Sequence, residues 1–284
     1  MNSITPEDDI NINASQAPLI EHLTELRSRL MKSLAFFIVA FCICFYFAVD
    51  MFNILLYPYE QAIGPEGNSQ LIFTAPQEFL FTQLKLAMFG ALCLSFPIIA
   101  GQLYMFVAPG LYKNERSAFL PFLAATPVLF IMGGSLLYFL VLPTAMTFFL
   151  SMQQTGGDDQ LAIQLLPRVS EYLSLIMTLI FAFGLVFQLP VVLTLLAKAR
   201  MVTAQGLRDK RKYAVVATFA AAAFLTPPDP FTQSGLAIPT LLLYELSIFA
   251  VAYVNKKQLE QDEKDGLLDD DDDDEDVEEG DPVS

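Results

Sequence analysis

Few side chains in this 284-residue chain have the types and spacings that catalysis or metal binding requires. The only histidine is His22, and the three cysteines, Cys42, Cys44 and Cys93, all lie in apolar runs. No zinc, haem or iron–sulfur pattern is present, and a metalloprotease motif of the HExxH type needs two histidines. The sequence therefore predicts no cofactor, no bound metal and no enzyme, and the cysteines are interpreted as small hydrophobic side chains.

Carboxylates beside apolar runs favour a different chemistry, the recognition of a cation. Glu25 precedes the first long apolar run, in a segment whose leucines follow helical spacing. Glu25 and Arg29 are four residues apart, so they can pair on one helix face. Glu115 lies in a short loop between two apolar runs, among turn-forming residues. From the residues alone, Glu25 is also consistent with a solvated charge of an interfacial helix, and Glu115 with an ordinary helix–loop–helix connection.

Two polar side chains lie within apolar runs, and a third polar residue lies between prolines. An amide deep in an apolar helix needs a partner, so Gln188 is predicted to contact a partner helix or to form a hydrogen bond between helices. Gln188 is neutral and cannot carry a proton. A buried carboxylate must be paired or protonated, which leaves Glu245 open to a partner's helix or to an internal bond. Asp229, between two prolines, is predicted to cap or fix a turn.

Hydropathy indicates an all-α membrane protein with several spans. Hydrophobic residues make up 54% of the chain, more than soluble domains contain. A span needs about 20 mostly apolar residues. Six spans, several of them bent by proline, are predicted at residues 31–49, 79–102, 119–150, 172–196, 213–225 and 236–253. The fifth and sixth are short, so four spans plus a re-entrant pair is the alternative.

The basic residues predict an orientation. Alternate segments between the spans hold 14 basic residues against one, with Lys85 left near a membrane edge. Because cytoplasmic loops retain Lys and Arg, both termini are predicted to be cytoplasmic.

Nearly all of the net charge lies at one end of the chain. The net charge is −15, and residues 260–284 contain 15 acidic residues and one lysine. Such a segment cannot bury apolar surface. The predicted organisation is a cytoplasmic segment 1–18, a membrane domain 19–253 and a disordered acidic cytoplasmic tail 254–284.

Four segments, in one order and spacing, resemble the signature segments of the TatC family, the multi-spanning receptor subunit of the twin-arginine protein translocase. They are residues 22–27 (HLTELR), 106–116 (FVAPGLYKNER), 182–190 (AFGLVFQLP) and 226–229 (TPPD). The resemblance runs from about residue 18 to residue 253.

The resemblance implies a signal-peptide receptor and core scaffold that exports folded proteins across the bacterial cytoplasmic (inner) membrane, driven by the proton-motive force. It implies TatA- and TatB-type single-span partners, a homo-oligomer within a receptor complex, and no nucleic acid. The implied signal-peptide site consists of Glu25, Arg27, Phe106, Pro109 and Glu115. The implied partner contacts in the membrane are Gln188 and Glu245, and the structural residues of the outer loop are Pro227, Pro228 and Asp229. The alternative function is a proton-coupled small-molecule transporter, for which Gln188 and Glu245 are the only clear mid-span candidates.

Overall fold

The computed structural model describes residues 6–64, 71–107, 120–154 and 165–264, which are almost entirely helical. The helices of this part of the chain are α1 Pro6–Tyr46, α2 Ala48–Ile63, α3 Glu78–Val107, α4 Leu120–Leu136, α5 Leu142–Ser151, α6 Val169–Val186, α7 Leu189–Lys198, α8 Ala204–Asp209, α9 Arg211–Leu225 and α10 Pro230–Lys264. A π-helical turn, Leu137–Val141, joins α4 to α5. The all-α prediction is confirmed.

Five helical segments within the described residues are long and apolar enough to cross a membrane. They are Leu23–Tyr46, Glu78–Phe106, Phe122–Ser151, Val169–Lys198 and Pro230–Glu260. These segments coincide with the first, second, third, fourth and sixth predicted spans. The fifth predicted span, 213–225, lies in α9, whose 15 residues cover only about 22 Å.

Several prolines lie inside the long helices, and one follows a break between two of them. Pro97, Pro127 and Pro239 lie inside α3, α4 and α10. Between α6 and α7 the helix breaks at Phe187 and Gln188, just before Pro190. Proline has no backbone N–H and its ring collides with the preceding turn, which accounts for the break ahead of Pro190. The predicted bends at the other prolines stay a prediction.

Helix α2 was not predicted, because residues 50–78 lie between the first two predicted spans. The helix follows α1 after a single residue and buries Leu55 and Tyr59. The Tyr172 hydroxyl donates to the Leu55 carbonyl at 3.2 Å, and the Tyr138 hydroxyl donates to the Ile54 carbonyl at 2.6 Å. Its short length and its internal Pro58 hide the helical pattern, and tertiary contacts stabilise it.

Helix α6 forms the centre of the molecule, with Leu173, Ile176 and Phe183 fully buried. Two glycines allow α4 and α6 to touch. A Cβ at Gly184 would lie 2.4 Å from the Phe130 ring, and one at Gly133 would lie 2.6 Å from the Phe183 carbonyl oxygen. Small residues permit such backbone approach between membrane helices.

The interface between α1 and α3 also uses small residues. Ala40 and Cys44 are buried on α1, and Ala87 and Ala91 are buried on α3. Cys44 therefore packs as a small hydrophobic side chain, whereas Cys42 is exposed.

Helix α10 continues to Lys264, beyond the boundary at residue 254 that was predicted for the disordered tail. The side chain of Gln258 donates to the Lys198 carbonyl at 2.9 Å, and Arg200 pairs with Asp262 at 2.6 Å. These contacts to the end of α7 explain why the helix persists where hydropathy falls. The acidic residues 265–284 lie outside the described part of the chain.

Candidate functional site

The Glu25 carboxylate lies on α1, two residues into its membrane-crossing segment, and is already bound by a guanidinium. The Arg29 Nη2 and Nε atoms approach Glu25 Oε1 at 2.5 and 3.0 Å, so the pairing expected from the four-residue spacing forms. The Glu25 side chain is 36% exposed and that of Arg29 is 17% exposed. Arg27 is exposed and projects about 200° around the helix from Glu25.

Of the remaining residues of the predicted signal-peptide site, Phe106 lies within the described part of the chain, at the end of α3. Phe106 is half-buried in the last turn of that helix. Pro109 and Glu115 lie outside the described residues, so the joint action of Glu25 and Glu115 stays a prediction.

Gln188 is buried at the break between α6 and α7, with a relative exposure of 4%. Its Nε2 donates to the Thr126 carbonyl at 3.0 Å and, more weakly, to the Gly184 carbonyl at 3.5 Å. This is the hydrogen bond between helices that the sequence left open. Its Oε1 atom is buried and accepts no hydrogen bond from the described residues. The amide can therefore still accept one bond from a donor outside this part of the chain.

Glu245 forms an internal ion pair rather than standing alone in its span. Its Oε2 lies 2.6 Å from Nη2 of Arg211, the first residue of α9. Both side chains remain about half exposed, at 42% and 50%. The sequence reading missed Arg211 as the partner. The pairing follows from the lengths of the helices, because a 15-residue α9 and a four-residue turn place position 211 opposite position 245.

The contacts of α10 show how far the start of α9 lies from the end of α7. Arg211 meets α10 at Glu245, whereas the end of α7 meets it at Gln258 through the Lys198 carbonyl. Positions 245 and 258 are 13 residues apart, so the start of α9 lies about 20 Å from the end of α7 along α10. At the opposite end, the start of α10 lies level with α5, since the ring centroids of Phe231 and Phe148 are 4.8 Å apart. The shortness of α9 is therefore confined to the end that carries the basic residues.

Asp229 caps α10 in the turn between α9 and α10. Its Oδ1 accepts from the backbone N–H groups of Phe231 at 3.1 Å and Thr232 at 2.8 Å, and its Oδ2 accepts from the Thr232 hydroxyl. Pro227 and Pro228 precede it, and the Pro227 carbonyl accepts from the Asp229 N–H at 2.7 Å. This geometry is structural, because the carboxylate is committed to otherwise unsatisfied donors of the helix start.

A second polar cluster joins the start of α3 to the start of α6. Glu78 accepts from the Ser170 hydroxyl at 2.6 Å and from the Thr74 N–H at 2.9 Å. Arg168 donates to the Thr74 hydroxyl and pairs with Glu171 at 3.2 Å. The sequence reading assigned no role to this cluster, because the partners of Glu78 are far apart along the chain.

Within the described residues, five helical segments are long and apolar enough to cross a membrane, and polar groups lie mainly at helix ends and breaks. These features define a multi-spanning membrane protein. The family model described as Sec-independent protein translocase protein (TatC) matches residues 21–239. The chain therefore belongs to the TatC family and is a component of that protein translocase.

Relatives and solved structures agree with this assignment. The chain is 49% identical over 254 residues to the Sec-independent protein translocase protein TatC of Magnetococcus marinus, covering 89% of this chain and 91% of that protein. It is 37% identical over 232 residues to the corresponding Escherichia coli K12 protein, covering 82% and 87%. A crystal structure of a twin-arginine translocase receptor, TatC, matches with a TM-score of 0.69 and 38% identity, covering 82% of this chain and 99% of that one.

Proposed function

We propose that this chain is the twin-arginine signal-peptide receptor and the core scaffold of a translocase that exports folded proteins across the cytoplasmic membrane. It does no catalytic chemistry itself, and the proton-motive force drives transport. Both termini are cytoplasmic, and α9 is the fifth of six spans. The bias of 14 basic residues against one between alternate segments supports this orientation.

The observation that carries the proposal is the guanidinium-bound carboxylate of Glu25 at the start of the first span. The contact with Arg29 supports the proposal, because it places a guanidinium directly against this carboxylate. A signal peptide with two consecutive arginines brings two more guanidinium groups, each able to fork onto a carboxylate. Glu115 supplies the second carboxylate, and Arg27, Phe106 and Pro109 shape and position the site.

Partner recognition is assigned to the membrane region around Gln188, Glu245 and α9. The buried, unsatisfied Oε1 of Gln188 can accept a hydrogen bond from a polar residue on a TatA- or TatB-type helix. Helix α9 also presents Val216 and Phe224, which are 68% and 90% exposed. Because Gln188 is neutral, coupling to the proton-motive force does not require its protonation. Several copies assemble in the receptor complex.

The short α9 also supports a role in passage across the bilayer. A helix of about 22 Å faces roughly 30 Å of hydrocarbon. The bilayer beside it must thin, or other chains must cover its end. A thinner bilayer lowers the barrier to moving a hydrophilic protein across the membrane.

A proton-coupled small-molecule transporter gains no support from the site. That function needs several ionisable groups converging near the middle of the membrane. Glu245 is paired with Arg211, and Gln188 is neutral and bonded to backbone carbonyls.

The test is a pull-down of the detergent-solubilised full chain with signal peptides that carry either Arg-Arg or Lys-Lys. Selective retention on the Arg-Arg peptide is expected, because lysine cannot form the two-pronged contact. The Glu25→Gln variant keeps the size of the side chain and removes its charge, and it should lose that selectivity. Equal retention on both peptides by the parent protein would contradict the receptor assignment.

A further inference from the structure

The basic lobe between α7 and α9 contains cations of two kinds. Arg200 and Arg211 are held by carboxylates of α10, Asp262 and Glu245, each at 2.6 Å. Arg208 and Lys210 are exposed and have no carboxylate partner in the described part of the chain. The neighbouring Asp209 instead accepts a hydrogen bond from Gln205 at 3.0 Å.

These unpaired cations are set back toward the membrane. Leu207, which precedes Arg208, accepts a hydrogen bond from the Tyr244 hydroxyl through its carbonyl at 2.8 Å. Arg208 and Lys210 are therefore level with positions 244 and 245 of α10. The next basic residue along α10 is Lys256, 11 positions beyond Glu245, or about 16 Å. An apolar stretch of α10 continues past the level of these cations, so a flat membrane surface at Lys256 would bury them.

Exposed apolar side chains lie near Arg208 and Lys210 along the chain, and the segment packs against α10. Met201 is 72% exposed and Tyr213 is 64% exposed, on either side of the two cations along the chain. The Lys212 Nζ lies 5.1 Å from the centre of the Tyr213 ring. Beneath them Leu207 is buried in a small hydrophobic cluster with α10. These contacts hold the backbone that carries the two cations against α10.

We propose that Arg208 and Lys210 form a binding site for the phosphate of an anionic phospholipid, drawn inward beside the short helix α9. The guanidinium and the ammonium supply the charge, and Met201 and Tyr213 contact the upper part of the acyl chains. Their set-back position and the adjacent apolar side chains favour a lipid over an acidic peptide, which needs neither. That the leaflet is the cytoplasmic one rests on the proposed orientation, whereas the lipid site itself does not.

The experiment measures binding of phosphatidylglycerol and phosphatidylcholine to the detergent-solubilised full chain by native mass spectrometry. The parent protein should retain at least one phosphatidylglycerol molecule in preference to phosphatidylcholine. In the double variant Arg208→Gln/Lys210→Gln, affinity for phosphatidylglycerol should fall by roughly 30-fold, since each cation near a lipid surface contributes a separate attraction.

The matched control is Lys256→Gln/Lys257→Gln, which removes the same charge from exposed positions at the end of the apolar stretch of α10. This variant should lose less than about threefold. Equal losses in the two variants would overturn the proposal, because they would show only nonspecific attraction. The charge-conserving variant Arg208→Lys/Lys210→Arg should keep most of the affinity, and its failure to bind would also overturn it.

A second arm of the experiment tests whether the chain's own acidic segment, rather than a lipid, occupies the site. Truncation after Lys264 removes residues 265–284 and should leave phosphatidylglycerol binding within about threefold of the parent value. Binding that appears only after truncation would assign the site to the tail and overturn the lipid proposal. In the same preparations, loss of Arg-Arg peptide selectivity by the parent protein would contradict the proposed function without changing the lipid result.

Discussion

Replacing Arg29 by glutamine should strengthen binding of an Arg-Arg signal peptide. Arg29 occupies the Glu25 carboxylate, with contacts of 2.5 and 3.0 Å to the same oxygen. An incoming guanidinium must displace this internal partner or share the carboxylate with it. Removing Arg29 removes that competition and leaves a carboxylate at the start of the span.

The size of the effect follows from the exposure of the pair. Glu25 is 36% exposed and Arg29 is 17% exposed, and they are four residues apart on one helix. Partly exposed pairs of this kind contribute about 0.5–1 kcal/mol after screening by solvent. The affinity of the Arg-Arg peptide should therefore rise by roughly two- to fivefold.

The assay is fluorescence anisotropy of a labelled Arg-Arg signal peptide titrated with detergent-solubilised protein at two salt concentrations. Lys32→Gln is the control, because it removes the same charge from an exposed position three residues further along α1. If Arg29→Gln binds no more tightly than Lys32→Gln, the gain comes from net charge alone. Weaker binding would show that Arg29 positions Glu25 for the peptide, which refutes the competition argument.

Three further predictions concern packing, the ion pair and the tail. Gly184→Ala should destabilise the protein by about 1–3 kcal/mol, because its Cβ would enter the Phe130 ring, and a lower thermal unfolding midpoint than in a Gly206→Ala control would show this. Glu245→Ala should destabilise the parent protein by more than it destabilises the Arg211→Ala variant, because the latter has already lost the ion pair. An additive double-mutant cycle would contradict the pairing. Truncation after Lys264 should leave export of a twin-arginine substrate unchanged. Truncation after residue 257 should reduce export, because it removes the hydrogen bond of Gln258 to Lys198 and the ion pair of Asp262 with Arg200. Loss of export from the first truncation, at normal membrane levels, would indicate a specific partner for the tail.

The long spans could be predicted from the sequence because their signal is local. Runs of 20 or more apolar residues reflect the thickness of the bilayer, and prolines mark bends wherever they fall. The same reasoning identified the pairing of Glu25 with Arg29, which needs only helical spacing, and the capping role of Asp229, which needs only its neighbours.

Other features depend on tertiary contacts that spacing does not contain. Helix α2 is amphipathic and held by tyrosines from distant parts of the chain, so its hydropathy resembles that of a loop. The partner of Gln188 is a backbone carbonyl, and every residue has one, so residue type gives no signal for Thr126. The extension of α10 to Lys264 needs the carbonyl of Lys198 and the charge of Arg200, both on another helix end.

The glycine contacts between α4 and α6 have a mechanical consequence. The Phe130 ring of α4 lies against Gly184 of α6, and the backbone carbonyl of Phe183 in α6 lies against Gly133 of α4. Rotation or sliding of either helix would drive a ring or a carbonyl into backbone, so the two helices resist shear and move as one body. Any widening of the molecule during transport must then occur where no such interlock exists.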